Sequence, residues 1–142
     1  MKSPLVNTVN QWLEYLETDR FPGAFQSEFD RIREHRTLKF SFPRQTGKTT
    51  YLLGKLYTTN SIMLMKNSRM FPESRSYVNV HTFGENLVER YIGLDEVYDH
   101  ILIDEPGFMS RQEEERLIEL VLMLSSRRRL SKKFSIIALG TH

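Results

Sequence analysis

The chain has 142 residues, enough for one ordinary domain with a core of its own, and 39% hydrophobic against 27% charged residues excludes disordered and fibrous classes. Cysteine is absent, no apolar run nears the roughly 18 to 20 residues of a membrane span, and the start "MKSPLVNTVNQW" lacks a signal-peptide core, so the expectation is an intracellular protein with no membrane partner. Twenty Lys and Arg against eighteen Asp and Glu leave a formal charge of +2, too small to establish a polyanion partner.

In chain order, "SPLVNTVNQWLEYLE" predicts an amphipathic helix with Ser3 as N-cap, Pro4 at the first helical position, and Leu5, Val9, Trp12, Leu13 and Leu16 on one stripe. Pro22 and Gly23 break it, after which Phe25, Phe29 and Ile32 recur at helical spacing and predict a second helix ending near His35. Thr37 to Phe42 alternates as a strand, and "KTTYLLGKLYTTN" has the length and pattern of a helix. "SIMLMK" and "SYVNVHTF" read as strands, separated by the loop-like "KNSRMFPESRS". Then come a short helix in "GENLVERYIG", a buried strand in "HILIDE" and a last strand in "KFSIIALGT". Between these two strands, Pro106 and Gly107 form a break, Ser110 and Glu113 a capping box, and a helix runs from about Arg111 to Ser126. Strands alternating with helices imply one α/β domain with a mainly parallel sheet.

The stretch "FSFPRQTGKTT" ends in Gly-Lys-Thr. Gly-Lys followed by Ser or Thr arises by chance in about 7% of chains this long, so placement has to carry the reading. The triplet lies between a predicted strand and a predicted helix, where backbone N–H groups and the positive helix end converge on phosphate oxygens. Gly47 then lets the backbone approach, the Lys48 ammonium reaches the β- and γ-phosphates, and the Thr49 hydroxyl is placed for Mg²⁺. The cradling amides run from about Gln45 through Thr46 to Thr49, and Thr50 is counted with them as a nucleotide-binding residue. Phe42 stands where the first glycine of the usual pattern would be, and Pro43 has no N–H to give. The competing reading is a plain strand-to-helix turn with a surface lysine.

A magnesium nucleotide site also needs an acid at the end of a buried strand, and hydrolysis needs a base beside the attacking water. "HILIDEP" offers Asp104 for the metal and Glu105 as catalytic base. Thr141, at the end of the last strand, is placed to sense the γ-phosphate by hydrogen bonding.

"PRQTGKTT" followed by "ILIDE" resembles the ATPase domain of the large terminase subunits, the motors that package viral DNA, and their helicase relatives. The likeness spans most of the chain and implies a three-layer P-loop NTPase fold of the RecA-like, ASCE type. It divides a single domain, 1–142, into N-terminal helices with an adenine-binding segment (1–36) and a nucleotide-binding core (37–142). Those motors commonly carry Arg-Gln inside the loop, which makes Arg44 similar to the family's arginine that touches the γ-phosphate. "FPGAFQSEFDRI" resembles the family's adenine-recognition segment, with Gln26 beside Phe25. "LGTH" is similar to the coupling segment after the acidic strand. The resemblance further implies ATP and Mg²⁺ as cofactors, double-stranded DNA and other motor or packaging subunits as partners, an oligomer, and the host cytoplasm for a virus-encoded protein.

"SSRRRLSKK" gathers cations between Arg127 and Lys133, suited to nucleic-acid phosphates, to a neighbouring subunit's nucleotide site, or simply to a helix C-terminus. Packaging motors continue into a nuclease domain and helicases into a second motor domain, whereas this sequence stops at His142, so strand translocation by a monomer is not expected. Three functions stay open at this point: an ATP-hydrolysing motor domain, an accessory nucleotide-binding module that needs a partner subunit for catalysis, and a phosphoryl transferase with "KNSRMFPESRS" as its lid.

Overall fold

The computed structural model describes residues 4–17, 32, 37–43, 47–66 and 79–141. The elements are α1 (Pro4–Glu17), β1 (Thr37–Phe42), α2 (Lys48–Thr58), β2 (Ser61–Met65), β3 (Val80–Thr82), α3 (Leu87–Tyr91), β4 (Tyr98–Asp104), a 3₁₀ turn (Pro106–Phe108), α4 (Arg111–Ser126) and β5 (Leu130–Thr141). The five strands form one all-parallel sheet in the order β1-β5-β4-β2-β3. The expected second helix falls outside the described residues except for Ile32, which is buried. Ser3 and most of "KNSRMFPESRS" also lie outside them.

Strand alternation sorts the core into two layers, one on each face of the sheet. Ile101 and Ile103 of β4, with Ile136 and Ala138 of β5, meet Leu120, Val121 and Leu124 of α4 and Leu87 and Tyr91 of α3. Leu102, Ile137 and Leu139 point the other way, onto Leu52 and Leu56 of α2 and Leu5 and Val9 of α1. Helices therefore cover both faces, the layering of a three-layer α/β fold. Fully burying one such aliphatic side chain stabilises by about 1.5–3 kcal/mol, and the continuous apolar run in β4 is what a strand covered on both sides requires.

Register fixes where the strand ends fall. Phe42 of β1 pairs with Thr141 of β5, and Asp104 of β4 pairs with Leu139 of β5. The C-terminal ends of β1, β5 and β4 thus share one rim. The chain turns from β4 into α4 through the capping box, in which Ser110 Oγ accepts from the Glu113 N–H at 3.2 Å and Glu113 Oε1 accepts from the Ser110 N–H at 2.8 Å.

Three details depart from the sequence expectations. Trp12 sits in the apolar stripe of α1 yet is 46% exposed, because it lies over β1, the edge strand among the described residues. There Phe40 (ring centroids 6.5 Å apart) and Tyr15 (5.6 Å, edge to face) lie against it among the described residues. β4 begins at Tyr98 and β5 at Leu130, both earlier than their apolar cores, since Tyr98 and Leu130 pair across a register shift. Lys132 and Lys133 consequently belong to a strand, and the basic turn is reduced to Arg127–Arg129. Among the described residues no helix is long and apolar enough to cross a membrane.

Leu102→Ala should cost about 2–5 kcal/mol, and Ser110→Ala about 1 kcal/mol. Urea titration should show both as lower midpoints with unchanged slope.

Candidate functional site

The loop that leaves β1 enters α2 through Gly47, whose φ of 81° and ψ of 24° lie in the left-handed region. A Cβ there would meet nothing within 4 Å, so the dihedral rather than space demands glycine. The Gly47 carbonyl accepts the first helical bond from the Tyr51 N–H at 2.9 Å. Lys48, Thr49 and Thr50 then form the first turn of α2, the turn whose N–H groups have no intrahelical acceptor.

Across the rim, Asp104 closes β4 on the same face as Leu102, the face that α2 covers. The Thr49 Oγ1 hydroxyl donates to Asp104 Oδ2 at 2.7 Å, joining residues 55 apart in sequence. The other carboxylate oxygen, Oδ1, is buried without a hydrogen-bond partner among the described residues. Asp104 is only 6% exposed, and burial, more than any other influence, raises its carboxyl above the ordinary carboxylate range. The negative charge of Glu105 adds to the rise, while the Thr49 hydrogen bond and the Lys48 ammonium oppose it. A hydroxyl and a carboxylate side by side, one oxygen unpartnered, are hard-oxygen donors of the kind that suit a small divalent cation.

Lys48 is buried as well, at 8% exposure. Its Nζ donates to the Pro43 carbonyl at 3.4 Å and lies 3.8 Å from Glu105 Oε1. Pro43, which the sequence presents as a loss of one donor, here serves through its carbonyl.

Glu105 reaches this position only through an unusual backbone. Regular alternation would send the residue after Asp104 to the face of Ile103, beneath α4. Glu105 instead has φ 58° and ψ 64°, a left-handed conformation that costs a non-glycine residue of order 1 kcal/mol. Its N–H still donates to the Leu139 carbonyl at 2.9 Å, extending the β4–β5 ladder by one residue, and its carboxylate doubles back toward the end of β5. There Oε2 accepts from the Thr141 N–H at 3.1 Å, and Oε1 accepts from the Thr141 hydroxyl.

Lys48, Thr49, Asp104, Glu105 and Thr141 therefore converge on one rim, with Gly47 at its turn, while Thr50 is exposed beside them. Gln26, Arg44, Gln45 and Thr46 lie outside the described residues. The bonds between Glu105 and Thr141 were not anticipated from sequence; the available signal was that both residues close buried strands, which parallel pairing makes neighbours. The basic turn stands at the opposite end of β5, so within one chain it does not reach the rim. Two of its side chains brace the connection before β4: Arg129 Nη2 pairs with Asp95 Oδ1 at 2.7 Å and Arg127 Nη1 donates to the Ile92 carbonyl at 3.5 Å.

The raised Asp104 carboxyl has a definite linkage sign. The folded state holds this proton more tightly than the unfolded state, so its contribution to stability falls as pH climbs from the ordinary carboxylate value through the raised folded one. Asp104→Asn should remove that loss. Thermal melts from about pH 4 to pH 7 should show the variant gaining on the wild type as pH rises.

No protein-family model matches the chain, and no curated protein is similar to it at a significant level, so the functional reading rests on this geometry and the sequence around it.

Proposed function

We propose that the chain is the Mg²⁺-dependent ATP-binding and ATP-hydrolysing domain, with a P-loop NTPase fold, of a DNA-associated motor of the kind that packages viral DNA. The observation that carries this reading is the 2.7 Å bond from Thr49 to Asp104, which ties the Gly-Lys-Thr turn to the acidic strand end. It is supported by strand order: β5 alone separates β1 from β4, so the turn and the acid face each other across one strand.

Bound Mg·ATP would supply the γ-phosphorus to be attacked and the metal charge that neutralises its oxygens. Thr49 and Asp104, including the unpartnered Oδ1, are the residues that would hold the metal. The Lys48 ammonium would exchange the Pro43 carbonyl for phosphate oxygens, a stronger, charge-assisted interaction. Glu105 would accept the proton of the attacking water. Resemblance adds Arg44 as the in-chain stabiliser of transferred charge and Gln26 as the adenine contact, together with DNA and further motor subunits as partners. A second reading, a nucleotide-dependent module that needs another subunit for turnover, draws on one observation: both oxygens of Glu105 are engaged by Thr141.

Mg·ATP at about 100 times its dissociation constant should add about 2.7 kcal/mol of stability, read as a thermal shift, and Lys48→Ala should abolish that shift. Phosphate release, stimulated by double-stranded DNA, should fall at least about 100-fold in Glu105→Gln while the thermal shift persists. Tight binding with no release under any condition would select the second reading, and failure of the intact chain to bind Mg·ATP would overturn both.

A further inference from the structure

The hydroxyl of Thr141 has a single proton, and in this structure that proton is given to Glu105 Oε1. The Thr141 N–H is given to the other oxygen of the same carboxylate at 3.1 Å. A phosphate oxygen at neutral pH accepts hydrogen bonds and donates none, so the hydroxyl cannot bind Glu105 and report on a γ-phosphate at the same time. Thr141 is thereby excluded as a nucleotide contact for as long as it holds Glu105.

We propose that Thr141 is the positioning residue of Glu105: it clamps the carboxylate that the left-handed backbone has turned toward the rim and sets the direction from which that carboxylate can take a proton. The proposal rests on the ATPase reading above. Three features converge on it. The backbone at Glu105 is in a conformation that persists only where surrounding contacts hold it. Its main-chain N–H is fixed on Leu139, two residues before Thr141 in the same strand, so β5 grips Glu105 by backbone and side chain together. Among the described residues Lys48 Nζ, at 3.8 Å from Oε1, is the other polar neighbour of the carboxylate, and phosphate binding would draw it off, leaving the two Thr141 bonds to orient the group.

The test compares Thr141→Val, which keeps the shape and the N–H but removes the hydroxyl proton, with Thr141→Ser, which retains it. Thr141 is exposed, so neither change disturbs the core. In steady-state ATP hydrolysis Thr141→Val should lower kcat about 10- to 100-fold with KM changed less than about twofold, and Thr141→Ser should stay near the wild type. A raised KM with kcat preserved would mark Thr141 as a nucleotide contact and overturn the proposal; kinetics unchanged in Thr141→Val would do the same. A readout independent of turnover is amide hydrogen exchange, in which Glu105→Ala should speed exchange at the Thr141 N–H; unchanged exchange overturns the clamp even in a chain that needs a partner to turn over. Absence of any Mg·ATP thermal shift in the wild type removes the ATPase reading itself, and the positioning role with it, whereas a normal shift with unaltered Thr141→Val kinetics sinks the positioning role alone.

Discussion

Parallel pairing of β1 and β4 on either side of β5 is the constraint from which the rim follows. Because all three strands run the same way, their C-terminal ends open onto one side, and the residues that leave them have nowhere else to go. One intervening strand holds β1 and β4 about 9–10 Å apart, too far for two short side chains to touch directly. The first turn of α2 bridges that gap, which is why Thr49, on the helix, and not a residue of β1 itself, meets Asp104.

This convergence is a poor way to stabilise a fold. Lys48 and Asp104 are both nearly excluded from solvent, Asp104 has one oxygen without a partner, and burial pushes its carboxyl toward the neutral form. Buried charges of this sort rarely repay their desolvation, and well-packed apolar side chains of the same volume would commonly do as well or better. The left-handed backbone at Glu105 adds to the same account. These unfavourable local features cluster at one rim of an otherwise well-packed sheet.

Much of the architecture was legible because periodicity and punctuation agree. The alternation of Thr37 to Phe42, the apolar run Ile101–Ile103 and the Ser110–Glu113 capping box each encode a local structure that tertiary packing then keeps. The meeting of Thr49 with Asp104 was legible because each was read as a holder of the same magnesium ion, Thr49 opening the helix after β1 and Asp104 closing β4. Trp12 lies on the expected stripe, but its exposure was not legible, since helical spacing says which face of α1 is apolar and not how far the sheet extends beneath it. The turn of Glu105 toward Thr141 left no local trace either, because a non-glycine residue at positive φ is imposed by its surroundings and not by its own preference. Gly47 is the opposite case, a positive φ announced by the residue that tolerates it.

The order of strands along the sheet also bears on how the molecule comes together in time. Among the described residues β1 finds its hydrogen-bonding neighbour in β5, with Thr37 matched to Ile136 about a hundred residues later. On a ribosome the Gly-Lys-Thr turn therefore emerges long before the strand that anchors it, and β1 must wait for β5 through the synthesis of β2, β3 and β4. Closing so long a loop is entropically slow, which makes the nascent chain vulnerable to misassociation at the stage just before β5 appears.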